Sequence, residues 1–232
     1  MFESAELGHK IDKETFKIEV PKLRAALLDV QDDLLQKKEF PVVILISGVD
    51  GSGKGETINL LYSWMDPRHI STLAFSAPSD EERSRPYMWR YWRALPPKGK
   101  VGIFAGSWYS HPIADRIAGN MRRSEMDQQL DDINRFEAML VNEGALVLKF
   151  WFHLSKEGQK TRLKALEKDP RTAWRVTKQS YERAISTEVF PCATSSSTNG
   201  VDTFPSGRTG TERESSGFLH TMIFNVSPAP TT

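Results

Sequence analysis

Ile46-Ser47-Gly48-Val49-Asp50-Gly51-Ser52-Gly53-Lys54-Gly55 lies between two apolar patterns of different period. Before it, Val42, Val43, Ile44, Leu45 and Ile46 run without a polar residue, as in a strand covered on both faces. After it, Ile58, Leu60, Leu61 and Trp64 suggest a helix that ends near Asp66-Pro67. A glycine-rich turn that leaves a strand and opens a helix is the setting of a phosphate-binding loop. Its small residues let main-chain N–H groups turn inward around an anion. Gly48, Val49, Gly51, Ser52, Gly53 and Gly55 are therefore expected to form the cradle. The helix N-terminus adds partial positive charge and Lys54 a full one. Gly55 stands where most such loops carry Ser or Thr for magnesium. An acid among phosphates is repelled unless a metal or proton intervenes. Asp50 thus reads as a magnesium-linked group, or as one that orients or deprotonates the acceptor. The plainer alternative is a glycine-rich turn with a chance lysine, which leaves the strand before it and the helix after it as coincidence.

Outward from the loop the alternation continues. Ile11 to Lys38 reads as a helical lead-in, with Leu23, Leu27, Val30 and Leu34 on one stripe and Pro21 suited to a first turn. Further strands are expected at Ile70–Phe75, Val101–Phe104 and Leu146–Phe152. Helices are expected at Asp80–Leu95 (perturbed by Pro86), from an N-cap at Ser124 to Glu143, from a cap at Ser155 to Lys168, and over Thr172–Ile185. Strands alternating with helices give an α/β fold with a parallel sheet flanked by helices. The expected division is a lead-in over 1–40, a phosphate-loop domain over 41–186 and an atypical segment over 187–232. That last segment is rich in Ser, Thr, Gly and Pro and shows no sustained period. It reads either as a disordered tail or as translation in a shifted frame.

Composition excludes several classes. The 232 residues carry a net charge of +1, so no global field attracts nucleic acid or an anionic membrane. A single cysteine, Cys192, rules out a disulfide framework or a cysteine metal site within the chain. The polar N-terminus lacks an apolar signal core and no run is long enough to span a bilayer, so a cytoplasmic location is expected. His9, His69, His111, His153 and His220 show no ligand spacing.

Two basic clusters stand out. Between Glu81 and Arg93, arginines interleave with aromatics. Arg83 and Arg90 could bind an extended polyanion, although a solvated basic helix face explains the pattern more simply. After the fourth strand, Lys156, Lys160, Arg162, Lys164, Lys168, Arg171, Arg175 and Lys178 suit either a phosphate-covering lid or a solvated face.

Taken in order, these motifs resemble the polyphosphate kinase 2 family over about Lys22 to Ile185. They are Gly48–Gly55, Glu82-Arg83 through Trp89-Arg90-Tyr91-Trp92, Leu95-Pro96 with Gly99, and Gly102-Ile103-Phe104 leading to Ser107-Trp108-Tyr109. Asp115-Arg116 and Ser155-Lys156-Glu157 with Gln159, Arg162 and Trp174 complete the series. The resemblance implies a thymidylate-kinase-like P-loop fold with a helical lid over 155–185. It implies a Mg2+-dependent transferase of kinase type that moves phosphoryl groups between polyphosphate and nucleotides. The loop is most similar to the N-terminal half of two-domain members, which convert AMP and polyphosphate to ADP. Asp50, Lys54, Arg116 and Arg162 are then the expected catalytic residues, Asp50 also the metal contact, and Arg83 and Arg90 the polyphosphate path. Polyphosphate and AMP or ADP are the expected partners, together with a second copy or a second kinase-like domain.

Three departures accompany the resemblance. Ala105-Gly106 replaces the family's Asp-Arg before Ser-Trp-Tyr, and Ser110-His111 replaces Asn-Arg. Losing one transition-state charge contact typically costs about 10²–10³ in rate. Leu166 stands where the lid offers another arginine, and the Ser/Thr-rich segment stands where a further strand and helix are expected. A catalytically degenerate domain that binds polyphosphate or nucleotide beside an active partner is the alternative function.

Overall fold

In the computed structural model, which describes residues 11–178, 180, 181 and 219–225, the apolar run becomes the central strand. This strand, β1 (Val42–Gly48), pairs in parallel with β3 (Val101–Ala105) on one side and β4 (Leu146–His153) on the other. β2 (Ile70–Ala74) lies outside β3, and β5 (Leu219–Asn225) lies outside β4, giving the order β2-β3-β1-β4-β5. Successive side chains on a strand face opposite ways. Val43 and Leu45 accordingly enter one core with Phe104, Trp108, Ile133, Phe136 and Val147, while Val42, Ile44 and Ile46 enter another with Leu34, Met65, Ile103 and Phe152. Helices α1 (Lys13–Lys37) and α2 (Lys54–Trp64) contribute to the second core, and α4 (Trp89–Ala94) and α6 (Arg123–Asn142) to the first.

Several boundaries differ from expectation for local reasons. Asp12 accepts from the N–H groups of Glu14 and Thr15, so α1 starts at Lys13 and Pro21 falls inside the helix. Ser79 and Glu82 form a reciprocal capping box that starts a short α3 (Asp80–Arg83), and Pro86 separates it from α4. A helix absent from the sequence expectation, α5 (Ser110–Ile117), follows the turn after β3. The N-cap of α6 is Arg122 rather than Ser124, because Glu125 accepts both the Arg122 N–H and its guanidinium. Ser155 caps α7 (Lys156–Lys168) as expected by accepting from Gly158 N–H. The stretch expected to be helical over 172–185 holds a 3-10 turn at Ala173–Arg175 and helical residues at Lys178, Ser180 and Tyr181, and 182–185 lies outside the described residues.

The largest correction concerns the C-terminal segment. It was expected to be atypical over 187–232, with no sustained period, yet Val147 to His153 pairs in parallel with Leu219 to Asn225. Leu219, Thr221, Met222, Ile223 and Phe224 are ordinary strand formers, but the run is too short to stand out without the β4 edge that orders it. The rest of 187–232 lies outside the described residues.

Candidate functional site

The chain leaves the C-terminal end of β1 between β3 and β4, where connections depart to opposite sides of the sheet. Ligands of open α/β sheets bind in the crevice at such a point. Here that crevice is a cleft of about 830 Å³ whose lining includes Gly48, Val49, Asp50 and Lys54. The loop takes its shape from glycines in backbone conformations that other residues rarely adopt. Gly48 has φ +138°, and a Cβ there would sit 2.1 Å from the main-chain O of Phe152 on β4. Gly51 and Gly53 are also left-handed, with φ of 81° and 89°, and Gly53 is the N-cap of α2. The first turn of α2 thus presents its N–H end to the loop. Gly55 has open space around its Cα, so nothing steric requires glycine there.

The loop is tied down on several sides. Val49 N–H donates to Phe152 O at 3.1 Å. Ser52 is buried and its hydroxyl donates to Val49 O at 2.7 Å, so its side chain serves the loop itself. Lys54 Nζ donates to Gly48 O and Val49 O at 2.8 and 2.7 Å and lies 3.8 Å from the Asp50 carboxylate. From α7, Gln159 Nε2 donates to Asp50 O at 2.9 Å. The same helix lays the stem of Arg162 and the side chain of Leu163 against Gly51.

The expected site residues separate into two groups. Asp50, Lys54 and Arg90 line the cleft. Arg90 is nearly buried, with Nε 3.5 Å from a Glu82 oxygen, one terminal N–H on Ser76 O at 3.1 Å and the guanidinium over the Phe75 ring at 5.2 Å. Arg162 stands behind the loop, outside the cleft lining. Arg116 is turned away and donates to Met121 O at 3.2 Å. Arg83 pairs with Asp80 and donates to Pro78 O on the surface. Spacing does not reveal these last two outcomes, since either arginine's reach covers several acceptors.

The cleft also gathers residues that the sequence reading did not list as site residues. His111 Nδ1 lies 3.3 Å from an Asp115 oxygen, one helical turn apart on α5, and both line the cleft. The i, i+4 spacing was the available signal. Gly106, with φ +80°, donates its N–H to Ile46 O and leaves that wall without a side chain. Behind the wall, buried Glu137 on α6 accepts from Trp108 Nε1 at 2.9 Å, Tyr109 hydroxyl at 2.7 Å and Lys149 Nζ at 3.0 Å. The Tyr109 hydroxyl is held protonated well above the ordinary phenol range, first by burial and then by the Glu137 charge. Tyr109 and Ser107 line the cleft, so Glu137 braces its wall.

Among the described residues no three His, Cys, Asp or Glu side chains come together to hold a metal. Magnesium commonly uses one or two carboxylates and completes its shell with waters and phosphate oxygens. The donors present fit an ion that arrives on a phosphate chain and meets Asp50. Among the described residues no helix is long and apolar enough to cross a membrane.

The family model for Polyphosphate kinase 2 (PPK2) matches residues 10–197. A polyphosphate:AMP phosphotransferase of Pseudomonas aeruginosa is 54% identical over 184 residues, covering 79% of this chain and 37% of the relative. Another from Pseudomonas syringae pv. tomato is 46% identical over 190 residues, covering 82% of this chain and 38% of the relative. The solved structure of polyphosphate kinase 2 from Arthrobacter aurescens TC1 superposes with a TM-score of 0.69 at 28% identity, covering 78% of this chain and 68% of that one. The chain spans less than two fifths of the length of the two Pseudomonas relatives.

Proposed function

The chain belongs to the polyphosphate kinase 2 family, and from that membership we propose that it transfers a phosphoryl group between polyphosphate and a nucleotide, with AMP and polyphosphate giving ADP. The observation that carries this reading is the position of the Gly48–Gly55 loop. It stands at the C-terminal end of the central strand and opens a helix into a cleft that also holds Lys54, Asp50 and Arg90. Phosphoryl transfer asks the protein chiefly for positioning and charge neutralisation. In this reading the loop N–H groups and Lys54 hold the phosphates, and Lys54 exchanges its bonds to Gly48 O and Val49 O for phosphate oxygens. Asp50 would hold Mg2+, and Arg90 would meet the incoming polyanion. Magnesium at Asp50 would supply charge neutralisation to the phosphate chain. The choice of AMP follows the names of the two Pseudomonas relatives.

A coupled assay for ADP from AMP, polyphosphate and Mg2+ tests this. Turnover is expected, with polyphosphate preferred to ATP as donor, and Lys54→Ala is expected to cost about 10²–10³ in kcat/KM. A folded chain that neither binds polyphosphate nor forms ADP rejects the proposal.

A second reading is carried by Ala105 and Gly106. β3 ends at the cleft without an acid, and the left-handed Gly106 cannot take an arginine without strain of about 1–3 kcal/mol. The chain would then bind polyphosphate or nucleotide without turning it over. Polyphosphate binding without ADP formation, together with a gain of turnover in Ala105→Asp, distinguishes this reading from the first.

A further inference from the structure

The cleft is evenly balanced in permanent charge. Among the described residues that line it, Lys54 and Arg90 stand against Asp50 and Asp115. Arg90 is further offset by Glu82, with an oxygen 3.5 Å from its Nε. Two cations matched by two carboxylates leave chiefly the N–H groups of the loop to attract a phosphate chain. The other titratable side chains in the lining are Tyr91, Tyr109 and His111. Burial holds both phenols protonated and therefore neutral. His111 is thus the lining residue that can add positive charge.

His111 sits in the first turn of α5, with 47% of its side chain open to solvent. Its Nδ1 lies 3.3 Å from an oxygen of Asp115, one turn further on, which leaves Nε2 for a ligand. The ring also stands beside that of Tyr87, just ahead of α4, with 6.0 Å between centroids. The Tyr87 hydroxyl donates to Trp108 O at 2.6 Å and is kept protonated by burial, so it brings no charge to the imidazole. A positive charge in the first turn of a helix is opposed by the helix dipole. The Asp115 carboxylate supplies the counter-charge that offsets this opposition. An imidazole gains and loses its proton within about pH 5 to 8, a range in which lysine and arginine stay charged.

We propose that His111 is a phosphate-binding residue of the cleft whose charge is set by pH, with Asp115 as its counter-ion. The proposal rests on the reading of the cleft as a phosphate-transfer site and adds a pH dependence to it. With the imidazole protonated the cleft carries one more positive charge. As pH rises through the imidazole range, that charge and its hold on a phosphate oxygen are lost.

Titration calorimetry of the full 232-residue chain tests it, with tripolyphosphate and separately with AMP, at constant excess Mg2+. For at least one ligand, affinity is expected to be about tenfold higher at about pH 6 than at about pH 8, the size of one charge-assisted contact. The ligand that shows this step is the one whose phosphate meets the imidazole. His111→Gln is expected to bind weakly at both pH values and His111→Arg tightly at both. Any step left in His111→Arg is the ligand's own protonation and is subtracted. Asp115→Asn is expected to shrink the step of the parent. The exposed position of His111 lets both of its variants fold, which circular dichroism checks. A His111→Gln variant that keeps the parent's full step overturns the proposal and leaves the phosphate-transfer reading standing. A loss of affinity equal at both pH values also overturns it, because a merely structural ring acts at every pH. A folded parent that binds neither ligand overturns the proposal and the phosphate-transfer reading together.

Discussion

The side-chain amide of Gln159 donates to the main-chain carbonyl of Asp50 at 2.9 Å, joining two residues that stand 109 positions apart. This bond attaches α7, the helix expected to act as a lid, to the loop that it was expected to cover. Gln159 and Leu163 are buried, so the N-terminal half of α7 is part of the cleft's foundation. Basic residues further along it, such as Lys164 and Lys168, stand exposed.

Replacing Gln159 with Leu keeps most of the volume and removes the donor. The Asp50 carbonyl then loses that partner in a buried setting, at a cost of about 1–3 kcal/mol in urea denaturation. Because the same carbonyl fixes the loop, affinity for tripolyphosphate by titration calorimetry is expected to fall about tenfold. Lower stability with unchanged affinity would show that the bond holds the fold and not the cradle.

Gly48 and Gly55 make a paired test of the loop. Gly48→Ala forces a Cβ to 2.1 Å from Phe152 O at a φ of +138°, where neither the β4 backbone nor the strand can yield. Strain and overpacking together are expected to cost about 3–5 kcal/mol. Gly55→Ser meets open space and is expected to change stability by less than about 0.5 kcal/mol. Thermal melts of the two variants side by side measure the contrast.

Buried Glu137 and the largely buried Lys149 form an ion pair at 3.0 Å. Removing the acid alone, as in Glu137→Leu, leaves Lys149 uncompensated and also strips Trp108 and Tyr109 of their acceptor. The expected loss is about 3–5 kcal/mol. Glu137→Leu with Lys149→Met removes the stranded charge and is expected to be more stable than Glu137→Leu alone. Urea denaturation of the parent, both single variants and the double variant measures the coupling, and simple additivity would rule out the pair as a unit.

Burial raises the phenol pKa of Tyr87, Tyr91 and Tyr109 above the ordinary value of 10.0, and the Glu137 charge adds to this at Tyr109. A raised folded-state pKa stabilises the fold fully below the unfolded value and loses that contribution as pH climbs past it. The fold is therefore expected to weaken above about pH 10. In an absorbance titration at about 295 nm, these three of the chain's five tyrosines are expected to ionise only with unfolding. Smooth ionisation of all five near pH 10 in the folded chain would contradict the packing around β3 and α5.

Much of the molecule was legible in the sequence because burial periodicity is local. Strands β1 to β4, α2, the Ser155 cap and the loop with Lys54 each follow from residues within one or two turns of one another. The same locality left the direction of long side chains open. Arg116 and Arg83 have sequence neighbours that suit a phosphate role, but they are satisfied by Met121 O, Asp80 and Pro78 O. The competing acceptors are set by how α5 and α3 fold.

What the sequence by itself determined is the order of strands and helices and the place of the anion-binding turn, since both are written in period and glycine spacing. What only the tertiary structure decided is which distant groups converge on that turn. Gln159 on Asp50, the Glu137 brace behind Tyr109 and the pairing of Leu219–Asn225 with β4 all join distant segments through sheet register and helix packing. A short run such as Leu219–Asn225 gains strand structure from the hydrogen-bonding edge beside it, and that edge exists only once the rest of the sheet has formed.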